Sequence, residues 1–191
     1  MLDCAAPESD IAAMRRLMLL RHAKTERAEP GERDRDRKLT KRGRADAPII
    51  GAYMARHSLV PELALVSPAT RAQETWKLIA SCLAKSSDKA PKVADEERIY
   101  NASAEKLMAV LAETRGARAL LVVGHNPGIQ DLAVQLLASG DIEARERIAE
   151  KLPTSGLVVI DLAFDDWSRL HPHSGRLERF VSPRLIAAAT E

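Results

Sequence analysis

Four apolar runs punctuate the chain: Leu17-Met18-Leu19-Leu20, Ala64-Leu65-Val66, Ala119-Leu120-Leu121-Val122-Val123 and Leu157-Val158-Val159-Ile160-Asp161-Leu162. Each is short and nearly continuous rather than alternating, the pattern of a strand buried on both faces. Between them lie stretches with helical character. Thr40 is placed to cap a helix running to about His57, in which Pro48 should kink the helix or delay its start. Ser67-Pro68 reads as an N-cap with proline in the first turn of a helix to about Leu83, and Asn126-Pro127 repeats that start for a helix to about Leu137. Ser103 is placed to cap a helix to Thr114. Lys92 to Ile99 reads as a short edge strand with an irregular turn at Tyr100-Asn101, and Leu177 to Val181 as a last edge strand. Strands alternating with helices over short connections predict a three-layer α/β/α domain around a mostly parallel sheet.

At 191 residues this is one domain, expected over residues 15–191 behind a flexible leader at 1–14. Aromatics are only 3% of the chain, so the core should be built from Leu, Ala, Val and Ile. The 29 Lys and Arg against 27 Asp and Glu leave a net charge of +2, which offers no general argument for nucleic acid or a membrane surface. Arg33, Arg35, Arg37, Lys38, Lys41, Arg42 and Arg44 crowd one segment among Glu32, Asp34 and Asp36, read as a solvated loop and helix start. Cys4 and Cys82 form no disulfide framework or metal spacing, and no secretory leader or membrane span is expected, which points to the cytoplasm. His171 and His173 read as a surface loop rather than a metal site, and Trp76 and Trp167 as packing residues.

The chemistry gathers where two apolar runs end, at Arg21-His22 and at Gly124-His125-Asn126-Pro127-Gly128, with Arg71 in the first turn of the helix that Ser67-Pro68 opens. Ligands of parallel α/β sheets bind at that edge. Two guanidinium groups from different strands would grip phosphate oxygens in pairs, and helix N-termini would add positive potential. One histidine, neutral at the attacking nitrogen, would serve as nucleophile; the other, protonated, would bond a phosphoryl oxygen. No metal or other cofactor is called for, because arginines and a cationic imidazole supply the charge.

Arg21-His22-Ala23-Lys24, Leu39-Thr40-Lys41-Arg42-Gly43, Ser67 through Thr75, Val123-Gly124-His125-Asn126-Pro127 and Pro153-Thr154-Ser155-Gly156 together resemble the histidine phosphatase superfamily, and within it the SixA-like branch. That resemblance implies a phosphoglycerate mutase-like fold and a metal-independent phosphatase working through a phosphohistidine intermediate. It implies that His22 is the phosphorylated histidine, that Arg21 and Arg71 bind phosphate, and that His125 is the second histidine. Asn126 stands beside it as a further phosphate contact, where some branches carry an acid. The general acid stays open: Glu97, in Glu96-Glu97-Arg98-Ile99-Tyr100, is similar to a catalytic glutamate of mutase-like branches, or is simply a polar residue of the edge strand.

The branch implies a phosphohistidine-bearing protein as substrate. The alternatives are a small-molecule phosphomonoesterase, a mutase-type transferase, and a non-catalytic module binding phosphate or phosphopeptide. Neither nucleic acid nor membrane is an expected partner.

Overall fold

The computed structural model describes residues 14–85 and 90–189. All of the expected leader except Met14 lies outside them, as do Cys4 and part of the connection from Lys85 to Pro91. Among the described residues seven strands form one sheet in the order β3-β2-β4-β1-β6-β7-β5. They are β1 (Arg15–Arg21), β2 (Leu63–Val66), β3 (Lys92–Asp95), β4 (Ala119–Gly124), β5 (Leu137–Ser139), β6 (Leu157–Leu162) and β7 (Gly175–Val181). Only β6 runs against the others: it pairs antiparallel with β1 and β7, and every remaining pairing is parallel. The fold is the expected three-layer α/β architecture.

The apolar runs earn their continuity by serving two cores. Leu17 and Leu19 face one side, with helices α3 (Ala104–Ala112), α4 (Gly128–Leu136) and α5 (Ile142–Glu150) packed over them. Met18 and Leu20 face the other, under α1 (Lys41–Arg56) and α2 (Thr70–Leu83). All four side chains are fully buried, each worth about 1.5–3 kcal/mol against exposure. A final short helix, α6 (Pro183–Ala188), follows β7. Among the described residues no helix is long and apolar enough to cross a membrane.

Several local expectations need correction. Helix α1 starts directly after its Thr40 cap and runs unbroken through Pro48, so proline does not delay it. The buried stripe Gly43, Ala47, Ile50, Gly51 and Met54 holds the helix despite the missing donor. Neither Ser67 nor Asn126 is an N-cap: α2 is preceded by Ala69 and α4 by Pro127, without side-chain capping, because both polar side chains are engaged elsewhere. The strand expected over Lys92–Ile99 stops at Asp95, and Glu97–Ile99 is a 3-10 turn. Strand β7 is internal, with β5 outside it, and β5, α5 and α6 had no counterpart among the expected elements.

Glycine at 43 follows from close approach. The Thr40 hydroxyl accepts the Gly43 N–H at 2.9 Å, and the Lys24 carbonyl accepts the Thr40 N–H at 2.9 Å. A Cβ on Gly43 would lie 2.1 Å from that same Lys24 oxygen. Gly43→Ala should therefore push α1 off the segment after His22 and cost about 1–3 kcal/mol, measured by urea unfolding at neutral pH; an unchanged midpoint would show that the helix shifts freely.

Candidate active site

Three neighbouring strands deliver the site. In register, Arg21 of β1 pairs with Gly124 of β4, and Val66 of β2 with Val123. The next residues along the chain, His22, His125 and Ser67, thus emerge side by side at the carboxyl ends of parallel strands. The His22 N–H donates to the Gly124 carbonyl at 3.1 Å and the Ser67 N–H to the Val123 carbonyl at 3.0 Å, so the pairing continues into the site. The His22 and His125 rings lie 5.1 Å apart between centroids. Both are buried, as is Arg71.

His22 Nδ1 lies 2.8 Å from the Ala23 carbonyl. A carbonyl only accepts, so Nδ1 carries the proton and Nε2 keeps its lone pair. Burial, offset in part by that hydrogen bond, and the nearby Arg71, Arg21 and Arg37 push His22 down to about 4. His125 Nε2 lies 2.7 Å from the Ser67 hydroxyl, while its Nδ1 is buried without a partner. Burial first, then His22 and Arg71, bring His125 down to about 3, with Asp34 acting in the opposite sense. At neutral pH both imidazoles are therefore neutral. A bound dianion would favour the proton that burial disfavours.

Arg21 donates through Nη1 to the Leu152 carbonyl at 2.8 Å, and its Nε is buried and unpaired. Arg71 projects from the first turn of α2, and Asp34 holds it: Nη2 donates to the carboxylate at 2.8 Å and Nη1 to the Asp34 carbonyl. Tyr100 donates its hydroxyl to the same carboxylate oxygen at 2.9 Å and meets the His125 ring edge-on at 5.5 Å.

The Ser67–Thr75 segment serves four purposes at once. Ser67 orients His125 and Arg71 reaches the pocket. The Thr75 hydroxyl accepts the Ala23 N–H at 3.0 Å and donates to the Arg71 carbonyl at 2.6 Å. Glu74 accepts the Leu39 N–H, tying down the end of the charged loop.

His22, His125, Arg21 and Arg71 therefore sit in one place. Asn126 joins them indirectly: its amide donates to Gln130 at 2.9 Å and to the Leu152 carbonyl at 3.1 Å, the acceptor that Arg21 also uses. Its donors thus brace the Arg21 acceptor rather than aim at an anion. Glu97 lies on the exposed 3-10 turn with both carboxylate oxygens on the Arg35 guanidinium, at 2.6 and 3.0 Å. Sequence reasoning missed Asp34, Arg37 and Tyr100, because a charged loop and an irregular turn look like solvent-facing chain until α2 brings Arg71 beneath them. No group of three or more His, Cys, Asp or Glu able to hold a metal occurs among the described residues.

The profile of the histidine phosphatase superfamily (branch 1) matches residues 17–96. An uncharacterized protein of Mycobacterium tuberculosis is 33% identical over 168 residues, covering 86% of this chain and all of that protein. The structure of a protein assigned as the phosphohistidine phosphatase SixA of Agrobacterium tumefaciens superposes with a TM-score of 0.75 at 29% identity, covering 88% of this chain and 98% of that one. The chain belongs to the histidine phosphatase superfamily, in its SixA-like branch. It is a phosphatase enzyme. A protein histidine phosphatase SixA complexed with tungstate shares the fold, with a TM-score of 0.65 at 21% identity over 90% of this chain and 99% of that one.

The paired imidazoles give this phosphatase a pH signature. Unfolded, both titrate near the ordinary 6.5; folded, they resist protonation down to about 4 and about 3. The unfolded chain binds protons first as pH falls, so this contribution is neutral above pH 7 and destabilising from about 6.5 downward. For His22 the full span amounts to about 3 kcal/mol. Urea unfolding between pH 7 and 4 should show this decline, and the His22→Asn, His125→Asn double variant should flatten it.

Proposed function

We propose that the protein removes the phosphoryl group from phosphohistidine on a protein substrate, through a transient phosphate on His22. The observation that carries this reading is the fixed tautomer of His22: Nδ1–H is committed to the Ala23 carbonyl, so the Nε2 lone pair is free beside two arginines and a second imidazole. In the first step Nε2 forms a bond to phosphorus while the bond to the substrate nitrogen breaks in line. The leaving imidazole keeps the electron pair and takes up a proton from solvent. In the second, water attacks the phosphohistidine, orthophosphate departs and His22 regains its lone pair. Arg21 and Arg71 hold the non-bridging oxygens. His125 presents Nδ1–H to them, with Ser67 in contact with the opposite ring nitrogen.

The choice of leaving group follows from the acids around the pocket. Glu97 faces Arg35, and Asn126 has no acidic proton to give. Partial burial pushes the Asp34 carboxyl up, but hydrogen bonds from Arg37, Tyr100 and Arg71 hold it well below the usual carboxylate range. No poised proton donor stands among these groups. A departing imidazole is far less basic than an alkoxide and needs that help least.

His22→Ala should abolish turnover, a loss of about a thousandfold or more, while orthophosphate still binds. Rapid quenching in alkali should trap label on His22 of the parent. Ser67→Ala, which releases the His125 ring, should lower kcat about tenfold. A parent enzyme that turns over small phosphomonoesters far better than a phosphohistidine protein would overturn the substrate assignment in favour of a phosphomonoesterase.

A further inference from the structure

The loop that reads as solvated charge puts one carboxylate against the phosphate pocket. Asp34 accepts from Arg71 through both its main-chain carbonyl and its side chain. The same carboxylate accepts from Tyr100 at 2.9 Å and from Arg37 at 2.9 Å. Burial falls steeply across this pair: the Arg71 side chain is 4% exposed and that of Asp34 47%. Asp34 therefore lies on the solvent side of the buried arginine, where a substrate whose phosphoryl group has entered must leave the rest of itself. Its charge also reaches His125.

We propose that Asp34 is a specificity-determining residue: a resident anion that shares Arg71 with the incoming phosphoryl group and biases the site against leaving groups that carry a negative charge of their own. This deepens the phosphohistidine reading and rests on it, since an imidazole leaves neutral or as a cation. Asp34 supplies the counter-charge that a buried guanidinium needs. With substrate bound, it stands beside the departing group, where a further carboxylate would meet it at close range while an imidazolium would be attracted. Arg37 and Arg71 temper that charge, but replacing Asp34 by asparagine adds one positive unit to the site whatever they do. The amide keeps an acceptor for Arg71 and nearly the same shape.

The test compares the parent, Asp34→Asn and Asp34→Glu on N-phosphoimidazole and on 3-phosphoglycerate, with orthophosphate binding followed by calorimetry. Asp34→Asn should raise kcat/KM for 3-phosphoglycerate about tenfold relative to N-phosphoimidazole, the effect of one unit charge at short range. It should also tighten orthophosphate binding by a similar factor, and Asp34→Glu should restore the parent ratio. An unchanged substrate ratio, or orthophosphate binding that weakens in Asp34→Asn, would overturn the role of Asp34. A parent that binds orthophosphate but turns over neither compound nor a phosphohistidine protein would instead overturn the proposed function, and the calorimetric comparison would still decide the charge effect of Asp34.

Discussion

The site depends on keeping positive and protonatable groups out of water before any ligand arrives. His22 and His125 are almost fully buried at the ends of strands whose own side chains form the two cores, and so is Arg71 in the first turn of α2. Burial strips these groups of hydration, so each must find a partner in the protein or wait for one. Arg71 finds Asp34, His22 finds the Ala23 carbonyl, and His125 finds Ser67 on one side only. The buried Nδ1 of His125 and Nε of Arg21 have no partner. As N–H donors, these two nitrogens would be complementary to an oxyanion.

That arrangement explains why the central architecture was legible in the residues. Continuous apolar runs such as Leu17–Leu20 carry information because both faces of the sheet are covered, and the polar residues that end them mark the ligand edge. The four residues Arg21, His22, Arg71 and His125 could be found from chain position alone, since strand ends and first helical turns fix where such side chains go. The periphery was less readable. Strand β5 is only three residues long and pairs through a register shift, and the exposed helix α5 buries only Ile148. Neither imposes enough hydrophobic pattern to stand out.

The places of Asp34 and Tyr100 beside Arg71 and His125 were hidden for a different reason. Their meaning comes from long-range contacts: residue 34 meets residues 71 and 100, which come from the α2 first turn and the turn after β3. Local composition describes the loop correctly as charged and partly solvated, yet it cannot say which of the charges turns inward. Ser67 and Asn126 illustrate the same limit in reverse. Each has the side chain of a helix cap, but long-range contacts with His125 and with the Leu152 carbonyl draw them into the site instead.

The Thr75 hydroxyl joins the backbone after His22 to the carbonyl of Arg71 through a single oxygen. Because it is fully buried, water does not compete for either bond. His22 and Arg71 are thereby mounted on a common bracket, which ties the first turn of α2 to the end of β1. A substitution that removes this hydroxyl would therefore loosen the spacing between the imidazole and the guanidinium without touching either side chain.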